Sequence, residues 1–322
     1  MRGTIIQMNQ PKRTSAISLF SGCGGSDLAL ARCGYNIVWA NDKSDVACET
    51  YKDNFENPRI EPGDIKEFRK FPHAEFLIGC YPCQGYTQGG KRDWVDPMNF
   101  LYREFDRVLR FVQPKAFVVE NVNGMAFGES RNLLNNQIYR FRMAGYRVKW
   151  DVLNARDFGV PQSRRRVFLV GIRSDMNAEY EFPKPTHGPG KRPYLTLRDA
   201  IGNMPLWPVG EFNNEPFHWY YLSRKRRHSW GTQSPCIVGH WRHVPLHPLS
   251  PPLKRIHTDK WVFTRKGRSR RFSYRECALL QGFPRSFRWE RGTIRERFQM
   301  IGNAVPPPLF EAVVRALPKI WD

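Results

Sequence analysis

Apolar residues fall along the chain in short unbroken runs separated by stretches at helical spacing. The runs are 16–20 (AISLF), Ile37-Val38-Trp39-Ala40, Phe76-Leu77-Ile78, Ala116-Phe117-Val118-Val119 and Val167-Phe168-Leu169-Val170. A run of four apolar residues reads as a strand covered on both faces, the pattern of a parallel sheet. Between the runs, Leu28 to Ala31, Asp45 to Phe55, Phe100 to Phe111 and Asn132 to Met143 predict helices, with Gly34, Pro114 and Gly145 marking ends. Residues 147–153 alternate as a strand nearer the edge of the sheet. The alternation predicts an α/β fold. Between Phe182 and Arg271 it gives way to a stretch rich in Pro, Trp, His and Arg, read as a smaller, loop-rich domain. Ser273 and Glu276 then form a capping-box pattern, and the prolines at 306–308 open a last helix to Leu317.

Charge narrows the class. The chain of 322 residues carries a formal charge of +21 with 14% aromatic residues, which excludes a disordered polyelectrolyte and favours a folded protein with a polyanionic partner. Nucleic acid comes first; a membrane surface is the alternative, but neither an amphipathic basic helix nor a bilayer-length apolar run supports it. Seven cysteines, an odd number, and the lack of an apolar leader in residues 1–15 point to a reducing cytoplasm.

Candidate chemistry lies where the strands end. Ser21-Gly22-Cys23-Gly24-Gly25 is a glycine turn into a helix, suited to close backbone approach to a ligand, or simply a tight connection. Asp42, about twenty residues on, stands where nucleotide binders hold ribose hydroxyls, or caps a helix. Gly79-Cys80-Tyr81-Pro82-Cys83-Gln84-Gly85 puts a cysteine where a strand runs into a loop. Cys83 is a candidate nucleophile, with a redox dithiol or half a zinc site as alternatives for the C-x-x-C pair. Glu120, at the end of a doubly buried strand, is functional or paired. The arginines of Gln162-Ser163-Arg164-Arg165-Arg166 bind phosphate, pair with Glu120 or form a solvated edge. Cys236, His240, His243 and His247 are too irregularly spaced for zinc, and no metal site is expected.

Taken in order, Pro82-Cys83-Gln84, Glu120-Asn121-Val122, Gln162-x-Arg164-x-Arg166, Arg275-Glu276-Cys277 with Gln281-Gly282-Phe283-Pro284, and Gln299-x-x-Gly302-Asn303 form a specific set. With 20–25 (FSGCGG) ahead of it, this set resembles the DNA (cytosine-5) methyltransferases over nearly all of the chain except roughly 183–270. The resemblance implies a Rossmann-like, S-adenosylmethionine-dependent domain at 1–182 plus 293–322, and a target-recognition domain at 183–292. It implies that Cys83 adds to C6 of a flipped-out cytosine and that Glu120 protonates or hydrogen-bonds N3. Arg166 would contact O2, and Arg164 would hold Glu120 or a phosphate. S-adenosylmethionine, released as S-adenosylhomocysteine, would meet Phe20, Gly22, Gly24, Gly25, Asp42, Lys43, Asp64, Ile65, Pro82, Leu101, Asn303 and Ala304. The family commonly has Glu in place of Asp42, and sometimes an aromatic residue in place of Lys43.

Double-stranded DNA is the implied partner, met by Gln84, the run Arg224-Lys225-Arg226-Arg227 and Arg242. Cys236-Ile237 stands where the family often has Thr followed by an aliphatic residue. A monomer in a prokaryotic cytoplasm follows, with a cognate restriction endonuclease as an indirect partner. A tRNA methyltransferase of the same family and a catalytically silent DNA-binding homologue are the rivals; intact Cys83, Glu120, Arg164 and Arg166 argue against the second.

Overall fold

The protein is described by a computed structural model over residues 14–56, 58–82 and 100–321. The chain forms two units. The first comprises 1–154, 165–184 and 307–322, and the second 155–164 and 185–306.

The first unit is built on seven strands: β1 (Ser15–Leu19), β2 (Asn36–Asp42), β3 (Ile60–Pro62), β4 (Phe76–Gly79), β5 (Ala116–Val122), β6 (Tyr146–Asn154) and β7 (Arg165–Arg173). Their order is β3-β2-β1-β4-β5-β7-β6. All neighbours are parallel except β7, which runs antiparallel to both β5 and β6. The apolar runs fall in β1, β2, β4, β5 and β7, and the central residues of β1, β4, β5 and β7 are buried, Ser18 of β1 among them. Helices α1 (Gly25–Arg32), α2 (Asp45–Asn54), α3 (Tyr102–Val112) and α4 (Arg131–Met143) link the strands, and α8 (Pro307–Arg315) packs on α1. Progress outward reverses between β1 and β4, so the carboxyl ends of these two strands flank the crevice where open α/β sheets take ligands.

The second unit has little regular structure: α5 (Leu197–Ile201), the hairpin β8 (Leu253–His257) and β9 (Lys260–Phe263), α6 (Tyr274–Leu280) and α7 (Ile294–Asn303). The capping box of Ser273 and Glu276 opens α6 as expected. Helix α7 packs on α6 and belongs to this unit, so the boundaries differ from 1–182 plus 293–322. Contacts hold α7 with the recognition segment, whereas the next helix, α8, returns to the sheet, where Phe310 meets Phe168 and Val313 O accepts from the Tyr180 hydroxyl.

A buried ionic cluster organises the second unit. Arg270 donates to both carboxylate oxygens of Glu276 at 2.7 Å, and both side chains are fully buried. His247 accepts at Nδ1 from Leu249 N, which leaves its proton on Nε2, 3.4 Å from Glu276 Oε1. Burial, with the Arg270 charge, pushes the His247 imidazole down to about 3. An unfolded His gains its proton near pH 6.5 while the folded one does not until far lower, so acid favours unfolding. The expected result is a loss of stability between pH 6.5 and 3 of up to about 1.4 kcal/mol per pH unit from this group, and none above it. Urea midpoints at pH 7.5 and 5 should show this fall in the wild type and a smaller one in His247→Gln; equal falls would assign the effect elsewhere.

Candidate active site

The carboxyl ends of β1 and β2 form the first part of the site. Phe20 leaves β1 with a left-handed φ of 57°, followed by Gly22 at 55° and Gly24 at 94°. A side chain at Gly24 would meet the Phe55 ring at 2.4 Å, so only glycine fits this turn into α1. Asp42 ends β2 and accepts from Gly22 N at 2.8 Å and Ser44 N at 2.9 Å, which ties the turn to the acid. Burial raises the Asp42 carboxyl above its usual value, and these backbone donors oppose the rise. Each carboxylate oxygen accepts one of these bonds and has a further lone pair for a hydroxyl donor. The ring of half-buried Phe20 lies edge-on to Tyr81.

Asp64 caps a short turn through Lys66 N and pairs with Lys43 at 3.1 Å. Lys43 is therefore a partner of a second expected residue, although its side chain is largely exposed. Ile65 and Leu101 are core residues, and the Ile65 carbonyl accepts from Arg107. Asn303 and Ala304 lie in the second unit; the Ala304 carbonyl accepts from Arg164 and Gln281.

The cysteine loop is described to Pro82; Cys83 and Gln84 lie outside the described residues. Hydrogen bonds hold its root. Cys80 N donates to Leu19 O, Tyr81 is buried with its hydroxyl donating to Gln137, and Asn121 Nδ2 donates to Tyr81 O at 3.2 Å. Asn121, central to the Glu120-Asn121-Val122 motif, thus positions the segment two residues before Cys83, a role that the residue pattern did not specify. Burial and the Glu120 carboxylate hold the Cys80 thiol well above the usual thiol range. It is therefore a thiol, not a thiolate, at neutral pH. Burial likewise raises Cys23, Cys33, Cys48 and Cys277.

Glu120 is 7% exposed near the end of β5. Arg166 lies on β7 opposite Val122, diagonal to Glu120, and its Nε is 2.9 Å from Glu120 Oε1. The expectation divided the arginines differently, with Arg164 on Glu120 or a phosphate. Arg164 precedes β7, so the alternation of an extended strand does not bring it to the face of Arg166. Its buried guanidinium donates to the carbonyls of Ile237, Gly302 and Ala304 instead. Arg165 is the solvated one.

These bonds are part of a clamp within the second unit. Gln162 accepts from Ile237 N and donates to Leu280 O and Gln281, and Gln281 donates to Ile301 O. A side chain at Gly302 would meet Gly239 N at 2.2 Å, so the 236–239 loop rests directly on the α7 backbone. Three separated motifs are joined through Cys236-Ile237. Gln162, Gln281 and Gly302 therefore position other groups, and their signal in the sequence was their place in those motifs.

The expected DNA contacts also divide. Arg224 and Lys225 are exposed. Arg226 donates to Tyr221 O and His243 O, and Arg227 to Ser250 O and Pro248 O. These two brace the fold, whereas the sequence reading assigned the whole run to DNA contact. Arg242 is exposed and paired with Glu215.

A sheet in this order, with a glycine turn after β1 and an acid at the end of β2, defines a Rossmann-like ligand-binding fold. The chain belongs to the C-5 cytosine-specific DNA methylase family, whose model matches residues 14–319. It is 37% identical to the Type II methyltransferase M.BsuRI of Bacillus subtilis, over 94% of this chain and 78% of that protein. Identity to the Type II methyltransferase M.MthTI of Methanothermobacter thermautotrophicus is 36%, over 94% and 96%. Among solved structures, the S. pombe Dnmt2 methyltransferase superposes with a TM-score of 0.69 at 20% identity, covering 94% of this chain and 97% of that one, a likeness of fold. Among the described residues no helix is long and apolar enough to cross a membrane.

Proposed function

We propose that this DNA cytosine-5 methyltransferase acts on double-stranded DNA at a specific sequence, with Cys83 as nucleophile and Glu120 as acid. The observation that carries the reading is the carboxyl edge of the sheet: Glu120 held by Arg166, and beside it the root of the cysteine loop held by Asn121. The Cys83 thiolate adds to C6 of an extruded cytosine while Glu120 delivers a proton to N3, so the electron pair moves to C5. S-adenosylmethionine, when bound, supplies an electrophilic methyl group to that carbon. Solvent takes the C5 proton as Cys83 leaves as a thiolate, and N3 returns its proton to Glu120, which restores the aromatic ring and the acid. Arg166 keeps Glu120 oriented and balances the carboxylate charge that Glu120 carries once its proton has moved to N3. Extruding the base costs a few kcal/mol, repaid by contacts to the base in the pocket.

The residues at β1 and β2 fit an adenosyl group: a half-buried ring at Phe20, a glycine turn, and Asp42 with lone pairs for ribose hydroxyls. Release of S-adenosylhomocysteine, a monomeric state, a prokaryotic cytoplasm and a cognate endonuclease sharing the site complete the reading. Relatives that are Type II methyltransferases favour it over a tRNA substrate or a silent homologue. Incubating unmethylated genomic DNA with labelled cofactor and mapping 5-methylcytosine by sequencing tests it; methyl label in RNA alone would reject the DNA substrate.

Asn121→Ala should lower the single-turnover rate about ten- to a hundredfold, since small misplacements of a reacting group have costs of that order. Cofactor affinity should not change. A normal rate would show that Tyr81 alone fixes the loop root.

A further inference from the structure

The hairpin β8–β9 and the loop after it carry a dense charge: Lys254, Arg255, Lys260, Arg265, Lys266 and Arg268 against Asp259 alone within 253–268. The register pairs Leu253 with Phe263, Lys254 with Val262 and Arg255 with Trp261. Alternation then separates two faces. One carries Leu253, Trp261 and Phe263, with Phe263 packed at 6.0 Å from the Phe217 ring inside the unit. Arg255, on the same side, donates to His257 O and Thr258 O and so closes the turn. The other face carries Lys254, Lys260 and Val262, and at the bulge beside them Ile256 is 42% exposed.

We propose that this ribbon is a base-reading element that enters the major groove of the DNA, an inference that rests on the DNA methyltransferase reading. The major groove admits a two-stranded ribbon, and its edges offer guanine acceptors to lysine and thymine methyls to apolar side chains. Lys254 and Lys260 supply the donors; Ile256 and Val262 supply the apolar contacts. Arg265 and Lys266, which line an open concavity with Phe263 and Gly267, take flanking phosphates. Arg268 sits over the Trp207 ring, its guanidinium carbon 3.8 Å from the ring centroid.

Three double variants that each remove two exposed charges separate the roles. Lys254→Ala with Lys260→Ala should reduce discrimination between target and near-target sites about tenfold or more, the scale of a lost base contact. Arg265→Ala with Lys266→Ala should leave site choice intact and flatten the log-log salt dependence of duplex binding by about 0.9 for each lost phosphate contact. Arg69→Ala with Lys70→Ala, exposed on the first unit, should do neither. Thermal midpoints verify that each variant is folded. If the Lys254/Lys260 variant methylates the wild-type sites with wild-type discrimination, the ribbon does not read bases. If the wild type methylates no cytosine in DNA, the catalytic reading fails instead, and the two failures are distinct.

Discussion

Cys83→Ser is expected to bind DNA and leave it unmethylated. Attack on C6 needs a strong nucleophile, and a serine hydroxyl at neutral pH is far weaker than a thiolate, while the substitution removes no phosphate contact. Turnover should fall below detection, with duplex affinity within a few-fold of the wild type. Cys80→Ser is the control. Burial and Glu120 keep the Cys80 thiol protonated, so its loss should affect stability more than rate. Equal damage from the two substitutions would restore the dithiol reading. A second readout is covalent: DNA carrying 5-fluorocytosine should trap the wild type, because fluorine at C5 blocks the final elimination. The adduct should map to Cys83, and its absence with cofactor and DNA both bound would reject the addition step.

Glu120→Gln should reduce the single-turnover rate by about 10²–10⁴, the usual contribution of a general acid. The amide keeps the shape but does not deliver a proton to N3. Cofactor affinity should hold, because Gly22 and Asp42 are tied to each other and the Phe20 ring packs on Tyr81. Substituting Arg166 should shift the pH dependence of the rate in the wild type but have little further effect in the Glu120→Gln background, since its partner's charge is already gone. An unchanged rate in Glu120→Gln would make the Glu120–Arg166 pair a structural salt bridge between β5 and β7.

Strands β1, β4 and β5 were readable because a sheet covered on both faces requires unbroken apolar runs, and the helices between them because amphipathic spacing is local. The glycine turn and Asp42 followed for the same reason: a strand end and a tight turn involve neighbouring residues. Helix α6 was marked by its capping box, again a local device. The ordered motifs extended this to a family and its chemistry.

What the tertiary structure decided depends on partners distant in the chain. Arg164 and Arg166 look alike in sequence, yet one lies buried on the carbonyls of Ile237, Gly302 and Ala304 and the other meets Glu120. Arg226 and Arg227 brace loops while Arg224 and Lys225 face solvent, although all four stand in one run. Helix α7 joins the second unit and α8 the first because each follows its packing partner, not its sequence neighbour. Local periodicity determines which segments become strands and helices. A guanidinium has five donors and a long reach, so only the folded backbone determines which carbonyl or carboxylate it finds.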